Sequence, residues 1–146
     1  MGETTKISWA EATWNPWIGC RKVSPSCTFC YAEAWAKRTG RDFNTVTKAA
    51  ERTFLAPLRW KEPKRIFVCS LSDFFIKQAD MWREEAWWIM KQANWHTYMI
   101  LTKRPGLMVD WAETHLWPNH IWAGVTVESA KYLPRLDVLK RVPAKV

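Results

Sequence analysis

No stretch of this 146-residue chain approaches the roughly 20 consecutive apolar residues that a membrane span needs, which argues against a transmembrane helix. The N-terminus, Met1 to Trp9, carries Glu3 and Lys6 and lacks the apolar core of a signal peptide. A cytoplasmic protein is the resulting expectation. There is no internal repeat, no low-complexity run and no linker rich in Gly or Ser, so residues 1–146 read as a single domain. Cysteine is scarce, four residues in all. In a reducing compartment, cysteines close together in sequence are more often metal ligands or catalytic groups than disulfides.

Against these absences stand ample apolar residues, at 48% enough for a real core, and two compositional excesses. Lys and Arg outnumber Asp and Glu by 22 to 14, a formal net charge of +8. That surplus favours a polyanionic partner such as nucleic acid, although it also serves solubility. The chain also holds 12 Trp. Some would suit base stacking; the simpler reading makes most of them core and rim side chains.

Apolar β-like runs alternate with amphipathic helical stretches. Thr13 to Gly19 reads as a short strand or extended lead-in, and Tyr31–Arg38 as a helix stopped before Gly40. An irregular stretch follows to Lys64, broken by Pro57 and Pro63, with a helical patch at Thr47–Phe54. Arg65–Ser70, Thr97–Thr102 and Ile121–Val127 read as strands. Behind them, helices are expected from an Asp80 N-cap through Ala93, over Gly106–Leu116, and over Ala130–Arg141. Ala144–Val146 looks like the start of another strand. This order predicts an α/β fold of about four parallel βα units. Right-handed crossovers gather the strand C-terminal ends at one rim, where such folds bind ligands. That rim would present the cysteine loop, Ser70–Asp73, Thr102–Arg104 and Thr126–Ser129.

The cysteine pattern is Cys20-x6-Cys27-x2-Cys30, followed by Tyr31. Two thiolates three residues apart at the mouth of a helix, with a third from the preceding loop, can hold one metal or cluster; soft thiolates suit zinc or iron–sulfur. Structural zinc normally takes a fourth Cys or His. His96, His115 and His120 fall away from the rim, and Cys69 sits inside a strand, where a thiol is usually core. Three local ligands therefore favour an iron–sulfur cluster with one open iron, with zinc as the alternative.

The arrangement resembles the radical-SAM superfamily: three cysteines after the first strand, an aromatic residue beside the last, then βα units. The commonest radical-SAM spacing is shorter between the first two cysteines. More closely, the chain is similar to a phage and bacterial family of three-Cys-motif proteins. The matching stretches are Ala12–Cys20, Lys22–Cys27, Cys30–Glu33, Pro57–Trp60, Arg65–Asp73, Leu101–Pro105 and Trp122–Ser129. That family is in turn distantly similar to the spore photoproduct lyase branch. The resemblance implies a partial, half TIM-like barrel, either a short version or an N-terminal part of a larger one. It implies a [4Fe-4S] cluster on Cys20, Cys27 and Cys30 that binds S-adenosylmethionine and cleaves it reductively. Radical chemistry would follow on a nucleic acid or nucleotide, in a bacterial host cell. By position, Ser70, Ser72 and Asp73 would hold the cofactor's amino group and ribose, Lys103 and Arg104 its carboxylate or a substrate phosphate, and Glu128 a hydroxyl or amine. Lys103 and Asp73 are the foremost catalytic candidates. Bland readings stand beside these: Asp73 caps a turn, Arg104 is solvated before Pro105, and Glu128 pairs with Lys131. A half-barrel leaves an open strand edge, which invites a homodimer. The alternative function is a basic phage module, with a cluster or zinc, that binds nucleic acid or a host defence protein.

Overall fold

The computed structural model describes residues 2–145. Its centre is a four-stranded, all-parallel sheet in the order β1 (Ala12–Trp14), β4 (Arg65–Val68), β5 (Thr97–Thr102) and β6 (Ile121–Val125). The pairing register sets Ala12 against Ile66, Ile66 against Tyr98 and Tyr98 against Ile121. A parallel strand needs a crossover back to its start, and helices supply it. Helix α4 (Asp80–Gln92) follows β4, α5 (Pro105–Thr114) follows β5, and α6 (Pro134–Leu139) follows β6. Between β1 and β4 run a two-stranded antiparallel hairpin, β2 (Trp17–Ile18) with β3 (Thr47–Lys48), and the helices α1 (Tyr31–Arg38), α2 (Glu51–Phe54) and α3 (Ala56–Arg59).

Period-two alternation decides which face is core. Ile66, Val68, Tyr98, Ile100, Ile121 and Ala123 share one face and are essentially buried; they pack in one cluster with Ala86, Ile89, Met90, Met108 and Leu139 of the helices. Each fully buried aliphatic of this kind is worth about 1.5–3 kcal/mol. The opposite face is partly open. Phe67 is covered by Trp9, ring centroids 4.8 Å apart, while Leu101 and Trp122 each remain 38% exposed. Among the described residues, no helix is long and apolar enough to cross a membrane. Of the 12 Trp, Trp14, Trp17, Trp60 and Trp87 are buried; Trp9, Trp88, Trp95 and Trp122 are exposed.

Several expected boundaries move for identifiable reasons. Thr13–Gly19 is split between β1 of the main sheet and β2 of the hairpin. The patch Thr47–Phe54 is not one helix: Thr47–Lys48 pairs with β2, and helix begins only at Glu51. Pro57 does not break the chain but lies in the first turn of α3, where its missing N–H costs nothing. Asp80 is not the N-cap of α4; Ala79 is, and Asp80 accepts from Arg83 Nη1 at 2.6 Å. The strand read as Arg65–Ser70 ends at Val68, because Cys69 takes φ 60 and turns the chain. Pro134 divides the Ala130–Arg141 helix into a 3-10 turn, Ala130–Tyr132, and α6. Past α6, Ala123 N donates to Lys145 O at 2.8 Å, a single parallel bridge on the free side of β6. Val146, the rest of that expected strand, lies outside the described residues.

Candidate functional site

Every loop leaving the C-terminal end of a main-sheet strand contributes to one cavity of about 410 Å³. Its lining includes all nine residues singled out from the sequence: Cys20, Cys27, Cys30, Ser70, Ser72, Asp73, Lys103, Arg104 and Glu128. The three cysteines are free and half-buried. Apolar walls come from Phe43, Phe67 and Leu101.

The cysteine loop is fixed at its two ends. On the near side, Gly19 N donates to Leu71 O and Cys20 N to Phe43 O at 2.8 Å. Gly19 has φ +110, and a Cβ there would meet Thr45 O at 2.6 Å, so only glycine serves. Ser72 Oγ donates to Gly19 O, which ties the loop to the end of β4. On the far side, Cys30 immediately precedes α1, whose N-terminal dipole favours negative charge. Tyr31 donates its hydroxyl to Ser70 O. Between these anchors the 3-10 turn Pro25–Phe29 buries none of its residues.

Two cations from the end of β5 reach the thiols. Lys103 Nζ donates to Ser26 Oγ at 2.7 Å and to Cys27 Sγ at 3.6 Å. Arg104 Nη1 lies 3.8 Å from Cys20 Sγ. Burial pushes the Cys20 thiol up, and Arg104 only partly offsets it. For Cys27, burial acts upward too, but backbone bonds at Val23 and Ser24, the Ser24 hydroxyl and Lys103 prevail and lower it. Burial and the neighbouring Cys30 raise Tyr31 to about 12. Cys69, by contrast, is fully enclosed, and its thiol stays well above the ordinary range through burial, Asp73 and Cys20.

Asp73 is fully engaged. Its Oδ1 accepts from Phe75 N at 2.9 Å and Thr102 Oγ1 at 2.7 Å; its Oδ2 accepts from Lys103 N at 3.0 Å and pairs with Arg104 at 3.0 Å. It therefore does cap a turn, and it also joins the ends of β4 and β5. Arg104 is not solvated: 11% of its side chain is exposed. Ser70 Oγ exchanges hydrogen bonds with Asn15. Glu128 does not pair with Lys131. It accepts from Ser26 Oγ at 3.0 Å and Arg135 Nη1 at 2.7 Å, with Lys103 Nζ at 3.9 Å. Burial opposes its charge, but the bonds from Ser24 and Ser26 and the Lys103 charge hold its carboxyl down at about 2.

Sequence reasoning missed Ser26, Asn15 and Arg135. Ser26 links Lys103 to Glu128, and its place inside the cysteine loop was the available signal. Arg135 is buried and also donates to Thr126 O at 2.6 Å; an arginine set among Leu133, Leu136 and Leu139 was its only trace. The three histidines stay away from the pocket, as their positions implied. His96 accepts from Lys64 N and bonds Pro57 O, His115 stacks on Trp111, and His120 bonds Met90 O. Among the described residues, no three His, Cys, Asp or Glu side chains converge closely enough to hold a metal ion. The thiols share a pocket without forming a preassembled ligand cage.

No curated protein and no solved structure matches the chain. One family model matches residues 4–146, and the chain belongs to that family, described as Protein of unknown function (DUF5131).

Proposed function

We propose that the chain is an iron–sulfur protein of radical S-adenosylmethionine type, acting on a nucleic acid or nucleotide. The observation that carries this is the shared cavity: three free thiols and two cations at the C-terminal rim of a parallel sheet. The sheet order follows the chain without reversal, and α4, α5 and α6 pack on one face, which supports a barrel wall over a doubly wound sheet. The open face carrying Leu101 and Trp122 would be the barrel interior.

The donor set fits the cofactor. Cys20, Cys27 and Cys30 would hold a [4Fe-4S] cluster, and no fourth thiol is needed if one iron is left for S-adenosylmethionine. Lys103, Arg104 and the N-terminus of α1 offset the negative charge that thiolates and sulfides bring. Because no residue of Pro25–Phe29 is buried, this turn can carry Cys27 toward Cys20 and Cys30 without disturbing the core. When bound, such a cluster supplies the electron for reductive cleavage of S-adenosylmethionine; the chain supplies position and shielding. Lys103 would take the cofactor's carboxylate or a phosphate, a role supported by its cationic Nζ at the pocket beside Ser26 and Cys27. Asp73 is a positioning residue that aims Lys103 and Arg104, and Glu128 restrains Lys103 through Ser26. Phe43, Phe67 and Leu101 exclude water from one side.

The test is metal and sulfide analysis of the chain purified without oxygen, with EPR of the reduced sample. About four irons and four sulfides per chain, and a spectrum that changes on adding S-adenosylmethionine, support the proposal. Stoichiometric zinc without sulfide overturns it and leaves a metal-stapled module that binds nucleic acid or a host protein.

A further inference from the structure

A second concavity lies away from the cysteine pocket. A cleft of about 810 Å³ follows the outer edge of β1, between α1 on one side and β3, α2 and α3 on the other. Its walls carry Trp35, Arg41, Lys48, Arg52, Arg59 and Trp60, and Glu3 is the sole carboxylate of the lining. Lys48 is neutralised by Glu85 at 2.7 Å, and Glu3 stands 3.9 Å from Lys64. Arg41, Arg52 and Arg59 are exposed, and among the described residues none of them forms a salt bridge. Arg59 instead donates to the backbone oxygen of Arg52, which ties its guanidinium to α2. Across the cleft, Arg41 stands over the half-buried Trp35 ring, 5.6 Å from its centroid.

Three uncompensated arginines around an indole face match a strand of alternating phosphates and bases. Guanidinium forks suit phosphate oxygens, and an indole with a stacked guanidinium is a platform for a base. A duplex is too wide to enter a cleft of this size, which falls in the usual range of ligand pockets, about 300–1,000 Å³. The cleft also adjoins the cysteine pocket. Asn15 lines the cleft and donates to Ser70 Oγ of the pocket at 2.9 Å. On α1, Trp35 in the cleft is one turn beyond Tyr31 in the pocket.

We propose that this cleft binds single-stranded nucleic acid, with phosphates on Arg41, Arg52 and Arg59 and a base on Trp35. The proposed function is deepened in that its substrate gains a docking site, but the binding itself needs no cluster.

The experiment is fluorescence anisotropy of the full chain with labelled oligo-dT and oligo-U of about 12 nucleotides, at two salt concentrations. R52Q/R59Q is expected to weaken binding at least about tenfold and to reduce the log–log salt slope by about 1.4, at about 0.7 per phosphate contact on a single strand. W35A should weaken binding about tenfold with little change in slope. K140Q/R141Q, the same charge change beyond α6 at the opposite edge of the sheet, should leave affinity within about twofold. A Cys27→Ser chain should bind as well as the unaltered one. Equal losses in R52Q/R59Q and K140Q/R141Q would overturn the cleft in favour of diffuse charge. So would duplex binding as tight as single-strand binding. Displacement by polyglutamate at matched charge would give the cleft to an acidic peptide instead. If only Cys27→Ser lost the oligonucleotide, the cleft would fall while the iron–sulfur reading stood.

Discussion

Arg104 and Asp73 form an ion pair of 3.0 Å between two side chains that are 11% and 7% exposed, and the same guanidinium lies 3.8 Å from the Cys20 sulfur. The pair sits where β4 and β5 end, so the position of Cys20's cationic neighbour depends on Asp73. Breaking a buried pair from one side leaves the other charge uncompensated. Asp73→Asn keeps acceptors for Phe75 N and Thr102 Oγ1 but removes the charge. It should cost about 2–4 kcal/mol, read as a lower urea midpoint at unchanged slope. Thr102→Val, which removes both the bond to Asp73 and the one Thr102 Oγ1 accepts from Arg104 N at 2.9 Å, should cost about 2 kcal/mol.

Lys103 is the complementary case, since 23% of its side chain is exposed and its bonds go to Ser26 and Cys27 rather than into the core. Lys103→Met should leave the unfolding midpoint within about 1 kcal/mol of the original and the iron and sulfide content unchanged. Its affinity for S-adenosylmethionine should fall about tenfold or more, because one charge-assisted bond is lost. Equilibrium dialysis with the labelled cofactor measures this. Loss of iron in the same variant would instead make Lys103 part of the cluster's support.

The rim was legible in the sequence because two rules suffice to place it. Apolar runs such as Ile66–Val68 and Tyr98–Leu101 mark strands, and crossover handedness brings their C-terminal ends together. Ser70, Asp73, Lys103 and Glu128 follow from that alone. What was not legible depends on dihedral angles and rotations that no periodicity encodes. The β2–β3 pairing spans two residues per strand, too short for any pattern at Thr47–Lys48. Glu128 reaches Arg135 rather than Lys131 because the chain passes through a 3-10 turn before Pro134 starts α6, and the turn rotates Lys131 over Tyr132. Cys69 closes β4 in a left-handed conformation that its residue type gave no reason to expect.

Gly19 carries a separate prediction. Its φ of +110 and the 2.6 Å that would separate Thr45 O from an alanine methyl are independent penalties, and both act one residue before Cys20. Gly19→Ala should destabilise the chain by about 2 kcal/mol or more and lower iron incorporation. Gly40 also has positive φ, +70, but nothing lies within 4 Å of its Cβ position. Gly40→Ala should therefore cost only about 1 kcal/mol and leave iron incorporation intact. Thermal unfolding and iron analysis of the two variants separate strain at the site from strain alone.

His96 sets an acid limit on stability. Lys64 N donates to its Nδ1 at 3.2 Å, so Nε2 carries the proton that is shared with Pro57 O at 3.0 Å, and the ring is neutral. Burial, then the nearby Lys64 charge, lowers its pKa from 6.5. A depressed histidine favours the folded state fully above the unfolded value. That contribution is lost as pH falls through about 6.5 toward the lower folded value, because the unfolded chain binds the proton first. Unfolding midpoints should be flat from about pH 8 to 7 and decline below about 6.5. His96→Gln cannot take the proton, so it should be less stable at neutral pH yet show a shallower decline. An unchanged slope in that variant would assign the acid sensitivity to other groups.

The fourth cysteine tests the ligand assignment from the opposite direction. Cys69 lines the same cavity as Cys20, yet it is 2% exposed and belongs to the apolar core at the end of β4, whereas Cys20, Cys27 and Cys30 are half-buried. Cys69→Ala should therefore retain its full iron and sulfide, at a stability cost of about 1 kcal/mol for the lost buried sulfur. Cys20→Ser, Cys27→Ser and Cys30→Ser should each lose most of both. The comparison is made on chains reconstituted side by side with iron and sulfide. Loss in Cys69→Ala alongside the other three would mean that the cluster takes four thiolates. No iron would then be open to S-adenosylmethionine, and the metal would serve the fold rather than the chemistry.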